Sequence, residues 1–108
     1  MSEGRDHPTA DFDEAVHQPN RLAILVVLRE AARADFGYLK TTLGLTDGNL
    51  GRHLALLECA GLITLSKGYE GRRPRTWASL TVRGNKALTT ELKAMRRLLD
   101  RFEWSAES

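Results

Sequence analysis

The sequence predicts a mainly helical domain of the α+β class, with one small β-hairpin and a long C-terminal helix. Apolar residues recur at helical spacing in several stretches, which predicts the helices. Two runs rich in β-branched and apolar residues flank a turn with glycine and proline, which predicts the hairpin. A chain of 108 residues can bury one core. We therefore expect one domain over residues 11–104, preceded by a mobile polar arm at residues 1–10.

Charge is distributed unevenly along the chain, although the formal net charge is only +2. Residues 1–20 carry five acidic side chains and one arginine, a net charge of −4, whereas residues 62–86 carry six basic side chains and one glutamate, a net charge of +5. A basic patch confined to one segment is a better nucleic-acid signal than the net charge of a whole chain. The second segment is therefore a candidate nucleic-acid contact.

Cysteine usage and hydropathy limit where the protein is expected to act. Cys59 is the single cysteine, so no disulfide forms within the chain and a reducing cytoplasm is the expected location. The longest apolar run, Leu22 to Leu28, is far too short to span a bilayer. The polar, acidic N-terminus does not have the pattern of a signal peptide. We expect no membrane partner.

The first part of the domain is acidic. Its apolar residues predict a short amphipathic helix over residues 11–17. The same region also permits a metal-site interpretation, because histidine and carboxylate side chains are common ligands of zinc or manganese. A solvated acidic face is the alternative that we adopt, since ligand sites normally lie on rigid elements, and we predict no metal site. The residues concerned are His7, Asp11, Asp13, Glu14 and His17.

Pro19 suits the first position of a helix that we expect to continue from Asn20 to Ala32. Residues 22–28 place apolar side chains in nearly every direction around that helix. Such a helix is buried on most of its sides. In so small a chain, part of this burial can come from a second subunit.

Two consecutive helices joined by a tight turn are predicted next. Asp35 is the N-cap candidate of the first helix, which ends at Gly44. Leu45 connects it directly to Thr46, the N-cap candidate of the second helix. Two helices with so short a connection and with facing apolar sides make a helix-turn-helix. The alternative is an antiparallel helix pair of another kind.

The second of these helices has one apolar face and one unusual face. Leu50, Leu54 and Leu57 recur at steps of four and three, and Gly61 suits the left-handed position after the helix. The opposite face carries two glycines, each of which costs about 1 kcal/mol relative to alanine in a helix interior. That composition favours close approach of a nucleic-acid groove, with an arginine that pairs with guanine. The alternative is a weak surface helix with an ordinary arginine. The residues of this face are Asp47, Gly48, Gly51, Arg52 and Ala55.

Residues 62–69 and 76–80 are expected to form the two strands of the hairpin. Between them, residues 70–75 hold a turn glycine, a proline and three arginines. We interpret the hairpin as a wing with a long basic tip that contacts phosphates. A solvated loop is the alternative, because exposed arginines are common.

A long helix, with Thr81 as its N-cap, is expected to extend to about Trp104 and to serve in dimerisation over residues 81–104. Its apolar residues recur at steps of four and three over two heptads, flanked by charged residues such as Glu91. A helix about 30 Å long equals the diameter of a small domain. Its own domain therefore covers only part of it, and we expect its outer half to pack against a second copy. Packing on its own core is the alternative. The predicted dimer seam consists of Leu88, Leu92, Met95, Leu99 and Phe102.

These elements in this order resemble a known family. PNRLAIL, DFGYLKTTLGLTDGNLGRHLALLECAGLI and KGYEGRRPRTWASLTVRGNKAL are similar to the short stand-alone winged-helix regulators related to the ArsR and MarR families, over about residues 17–100. The resemblance implies a homodimeric bacterial or archaeal transcription regulator that binds double-stranded DNA with paired recognition helices. It implies contacts from the recognition helix and the wing. The expected DNA-binding residues are Thr46, Asp47, Gly48, Asn49, Gly51, Arg52, His53, Lys67, Arg72, Arg73 and Arg75.

The chain departs from the metal-sensing relatives of ArsR. Those relatives carry cysteine pairs near the recognition helix, or aspartate and histidine ligands on the last helix. Here Cys59 stands alone and the last helix contains no histidine, so the sensory sites are missing from their usual places. His53 is accordingly expected to be a phosphate contact or a packed helix residue rather than a metal ligand.

We expect a sequence-specific DNA-binding transcription regulator that acts as a homodimer on an inverted-repeat operator. A winged-helix module for protein interaction, without direct DNA binding, is the alternative, and the net charge of +5 over residues 62–86 argues against it. An enzyme is not expected, because three scattered histidines and one cysteine form no catalytic constellation. The sequence predicts no cofactor and identifies no small-molecule effector.

Overall fold

The structure, a computed structural model, describes His7 and residues 12–102. The described part folds into four helices and one antiparallel sheet with the strand order β1-β3-β2. The predicted α+β fold, with a hairpin wing and a long C-terminal helix, is confirmed. In chain order the elements are α1 (Pro19–Ala31), β1 (Arg33–Asp35), α2 (Phe36–Leu43), α3 (Asp47–Cys59), β2 (Ile63–Glu70), β3 (Arg73–Leu80) and α4 (Val82–Arg101).

Local signals at the helix ends act as the sequence predicts. Asp35, Thr46 and Thr81 are the N-caps of α2, α3 and α4, because each side chain accepts a backbone N–H from the first turn of its helix. Gly44 and Gly61 follow α2 and α3 with φ values of 66° and 77°. Both values lie in the left-handed region that glycine adopts without a Cβ penalty, so these two glycines end their helices.

The core lies between α1, the apolar face of α3, the inner face of the sheet and α4. Leu50, Leu54 and Leu57 of α3 are buried as predicted. Three residues of α1, Ile24, Leu25 and Leu28, are also buried, whereas its other large aliphatic residues are half-buried. The helix is therefore covered on one side by the core and only partly covered on the others.

The N-terminal end of the described chain differs from the expectation. Residues 14–16 form a turn rather than a helix, and Val16 inserts fully into the core. The arm predicted for residues 1–10 lies outside the described residues except for His7, and so does the predicted end of the last helix at Trp104.

The sheet contains one strand that the sequence does not predict, and the wing is tighter than expected. β1 is three residues long and pairs with β3, with Ala34 opposite Ala78. The β2–β3 ladder continues to Glu70 opposite Arg73, so only Gly71 and Arg72 remain as the turn. The predicted long basic tip is therefore wrong, because cross-strand pairing extends through residues that look like a loop in the sequence.

Gly84 marks a close approach between α4 and the backbone just before β2. A β-carbon at this position would lie 1.9 Å from the carbonyl oxygen of Leu62. Thr81 connects the same region, because its hydroxyl donates to the carbonyl of Gly61 at 2.7 Å. Together these contacts fix the point at which α4 leaves the hairpin.

None of the helices in the described part of the chain has the length and hydropathy that a membrane span requires. The longest of them, α4, has 20 residues and carries several charged side chains.

Candidate nucleic-acid interface

The outer face of α3 is open, as its two glycines suggest. Apart from the backbone of α3 itself, a β-carbon at Gly48 or Gly51 would meet no described atom within 4 Å. No contact with the described residues therefore explains why these positions lack a side chain. Arg52 lies exposed on this helix, and its Nη2 donates to Oδ1 of Asn49 at 2.9 Å. The pair holds a guanidinium beside an uncovered stretch of helical backbone.

The start of α3 is fixed by contacts within the helix-turn-helix. Thr46 uses its hydroxyl to accept the N–H of Asn49 at 3.1 Å. Asp47 forms an ion pair with Lys40 of α2 at 2.9 Å, which joins the two helices across their turn. Thr46 and Asp47 both remain exposed, although their side chains have partners.

His53 lies on the opposite, packed side of α3 and is only 7% exposed. Its Nδ1 is 3.4 Å from Nη1 of Arg21, whose guanidinium also donates to the carbonyls of Ala15 and Glu14. Burial lowers the pKa of His53, and the positive charges of Arg21 and Arg52 lower it further. Of the two roles expected for His53, the packed one fits this environment, which corrects its place among the expected DNA contacts.

The wing presents three exposed cations of the expected set. Lys67 lies on β2, Arg72 in the turn and Arg73 at the start of β3. Tyr69, near the end of β2, is 77% exposed and was not among the expected contacts. The sequence gives no sign of this exposure, because an aromatic residue in a strand ordinarily predicts a packed position.

Arg75 differs from the other arginines of the wing, since it is half-buried and already paired. Its Nη1 is 2.9 Å from Oδ2 of Asp35, and its Nη2 is 2.9 Å from Oε1 of Glu70. The expectation of an exposed loop arginine is therefore corrected, because Arg75 lies within a strand and two carboxylates compensate its charge.

The apolar stripe of α4 is divided between the chain's own core and its surface. Leu92 is 37% exposed, Leu99 46% and Phe102 71%, whereas Met95 is half-buried. Leu88 is completely buried, so it belongs to the core of its own chain, and this corrects its place in the predicted dimer seam. The exposed part of the stripe, Leu92, Leu99 and Phe102, is available for contact with another molecule.

Glu91 is fully buried, although the sequence suggested a charged flank. Its carboxylate contacts Nδ1 of His17 and accepts the backbone N–H of Asp13 at 3.3 Å. His17 therefore pairs with α4 rather than facing a solvated acidic surface. The spacing does hold a signal, since Glu91 lies three residues after Leu88 and four before Met95, within the apolar stripe.

Comparisons with known proteins agree with this geometry. Residues 20–99 match the family model described as a winged helix DNA-binding domain. An uncharacterized protein of Methanocaldococcus jannaschii is 34% identical over 83 residues, which cover 77% of this chain and 90% of that protein. The resemblance to winged-helix regulators is thereby confirmed.

Solved structures lead to the same fold. A transcriptional regulator homologue from Pyrococcus horikoshii OT3 superposes with a TM-score of 0.81 at 28% identity, over 94% of this chain and 98% of that one. The transcriptional regulator MosR of Mycobacterium tuberculosis, solved in complex with DNA, has a TM-score of 0.69 at 18% identity, over 97% of this chain and 74% of that one. At that identity the second likeness concerns the fold alone.

Proposed function

Because the chain belongs to the winged helix DNA-binding domain family, we propose that it is a sequence-specific, DNA-binding transcription regulator. In this proposal α3 enters the major groove and the wing lies along the adjacent phosphate backbone. The single observation that carries the proposal is the open face of α3, where Asn49 holds Arg52 beside two glycines that no contact with another described residue explains.

The chemistry of that face suits base readout. An arginine pairs bidentately with the O6 and N7 atoms of guanine in the major groove. The hydrogen bond from Arg52 to Asn49 restrains the guanidinium before DNA arrives, which lowers the entropy lost on binding. Gly48 and Gly51 let the groove approach the backbone more closely than any side chain would. Arg52 is therefore the proposed base contact of this chain.

The wing supplies the sequence-independent part of binding. Lys67, Arg72 and Arg73 are exposed on one short hairpin, and each can neutralise a phosphate. Such contacts release counterions, so binding weakens as salt concentration rises. They set the register of the protein on the duplex while Arg52 reads the sequence.

The proposed regulator acts in the cytoplasm as a homodimer. One helix-turn-helix covers too few base pairs for selectivity, and a two-fold dimer doubles the site. The exposed apolar residues Leu92, Leu99 and Phe102, together with half-buried Met95, form the proposed contact between copies. An inverted repeat with half-sites about 10 base pairs apart matches such a dimer.

The test is selection of fragments from the organism's genomic DNA with the purified chain, followed by affinity measurements over a range of salt concentrations. We expect enrichment of fragments that share an inverted repeat, and affinity that falls steeply with salt. A protein that selects no sequence and shows no salt-dependent binding would favour the protein-interaction module instead.

A further inference from the structure

Arg75 connects the wing to the helix-turn-helix. We infer that its ion pair with Asp35 is a positioning contact: it fixes the angle of the wing against the start of α2, and so fixes the distance between the wing's phosphate contacts and the recognition helix. This inference rests on the proposed DNA binding and deepens it. Arg75 is a positioning residue, whereas Arg72 and Arg73 contact phosphates.

The guanidinium of Arg75 is occupied within the chain. One terminal nitrogen binds Asp35 and the other binds Glu70, both at 2.9 Å. The side chains of Arg75 and Asp35 are only 28% and 14% exposed. The Nε atom is buried and has no hydrogen-bond partner among the described residues. A guanidinium held in this way by two carboxylates has little capacity left for a phosphate.

Asp35 is the point at which the wing and the helix-turn-helix meet. Its Oδ2 accepts from Arg75, while its Oδ1 accepts the backbone N–H of Tyr38 at 2.7 Å as the N-cap of α2. One carboxylate therefore binds strand β3 and the first turn of α2. Since Lys40 of α2 is paired with Asp47 of α3, the connection continues to the recognition helix.

The remaining backbone contacts hold only the base of the wing. β1 pairs with β3 from Arg33 opposite Ser79 to Asp35 opposite Trp77. Toward the tip beyond Trp77, β3 pairs with β2 alone. A two-stranded hairpin twists and bends more freely than a wider sheet. The Arg75 side chain reaches back across this gap, so its pair with Asp35 restrains the outer half of the wing.

The substitution Asp35→Asn distinguishes a positioning role from a purely electrostatic one, because the two roles predict changes of opposite sign in DNA affinity. Asparagine is as good an N-cap as aspartate, so the start of α2 is preserved. Removing a carboxylate near DNA raises affinity if only the electrostatic field matters. Loss of the positioning contact lowers affinity instead. We expect a loss of about tenfold on the selected operator, which corresponds to about 1.4 kcal/mol.

The experiment measures operator affinity against salt concentration for Asp35→Asn, Arg75→Gln, the double variant and Arg72→Gln. The first two are expected to bind about tenfold more weakly with an unchanged slope of log K against log salt, and the double variant no more weakly than either, because all three lack the same interaction. Arg72→Gln is the matched control, whose slope should become shallower by about 0.9.

Hydroxyl-radical footprints add a measurement that lower stability alone would not change. Protection of the deoxyriboses of the DNA backbone under the wing should weaken in Asp35→Asn, while protection around the groove that holds α3 persists. Native or tighter binding by Asp35→Asn, or a shallower slope for Arg75→Gln, would overturn the inference and leave the proposed function intact. A native chain that binds no DNA would overturn both.

Discussion

Helices α3 and α4 both carry glycine at helical positions, but the surroundings of these glycines are opposite. Gly84 of α4 faces the carbonyl oxygen of Leu62 so closely that a β-carbon would lie 1.9 Å from it. Gly48 and Gly51 of α3 face open space. Glycine is therefore required by the packing of α4, whereas no contact among the described residues requires it in α3. The difference separates a structural glycine from a candidate contact surface.

The largest expected effect is a loss of stability when the packed glycine of α4 is substituted. Gly84→Ala should lower the free energy of unfolding by about 4 kcal/mol or more, beyond the usual range for overpacking, because the added methyl meets a backbone carbonyl rather than a movable side chain. Chemical denaturation monitored by circular dichroism measures the change. A loss below about 1 kcal/mol, within the range of tolerated swaps, would mean that α4 shifts easily and that Gly84 does not fix its position.

The next effect concerns the outer half of α4, where the apolar side chains of Leu92 and Leu99 are exposed. Leu99→Glu should shift the proposed dimer to monomer, because the dimer would bury an unpaired carboxylate in each subunit at a cost of about 3 kcal/mol or more. The monomer should stay folded, since Leu99 is 46% exposed within the chain. Light scattering coupled to size exclusion gives the mass of each species.

Lys93→Glu is the control for that experiment, because it also introduces a carboxylate, but on the exposed polar side of α4, and should leave the proposed dimer intact. A native chain that is monomeric at tens of micromolar, both alone and on DNA, would contradict the proposed assembly.

The parts of the fold that depend on local signals could be predicted from the sequence. Asp35, Thr46 and Thr81 cap their helices through N–H groups three residues away, so the residues involved are visible together in the sequence. β1 could not be predicted, because three residues show no periodicity and the strand exists only through its pairing with residues 77–79. The length of the wing was misjudged for a related reason, since cross-strand pairs hold residues of turn-like composition.

In the candidate site, too, features set by local sequence could be predicted, whereas features set by contacts distant in sequence could not. The open face of α3 follows from helical periodicity alone, so Gly48, Gly51 and Arg52 could be placed on it without a structure. His53 could not be assigned to one role, because its burial depends on Arg21 and the turn before α1. Arg75 was misassigned because Asp35, its partner, lies 40 residues away in the sequence. Charge patterns identify a basic wing but do not show which charges are already compensated.

Of the two substitutions on the open face of α3, the one that removes the proposed base contact should change DNA affinity more. Arg52→Ala should lower affinity for the selected operator by roughly 1–3 kcal/mol and relax the preference at one base pair. Affinity for scrambled DNA should change less. Arg96→Ala is the control, because it removes an arginine that is 80% exposed on α4, away from the proposed groove contact. An equal loss on both DNAs would make Arg52 a phosphate contact.

The smallest expected effect comes from adding a methyl group at one of the open glycines of α3. This change should increase stability and decrease operator affinity. Gly51→Ala should raise the free energy of unfolding by about 0.5–1 kcal/mol, because alanine loses less backbone entropy in a helix and meets no described atom outside α3. The same methyl should weaken operator binding if the groove approaches the backbone here. Ala55→Gly, at an exposed position one turn further along α3, calibrates the helix term with the reverse change and should lower stability. A Gly51→Ala protein that is more stable and binds the operator as tightly as the native chain would show that DNA does not approach this part of α3.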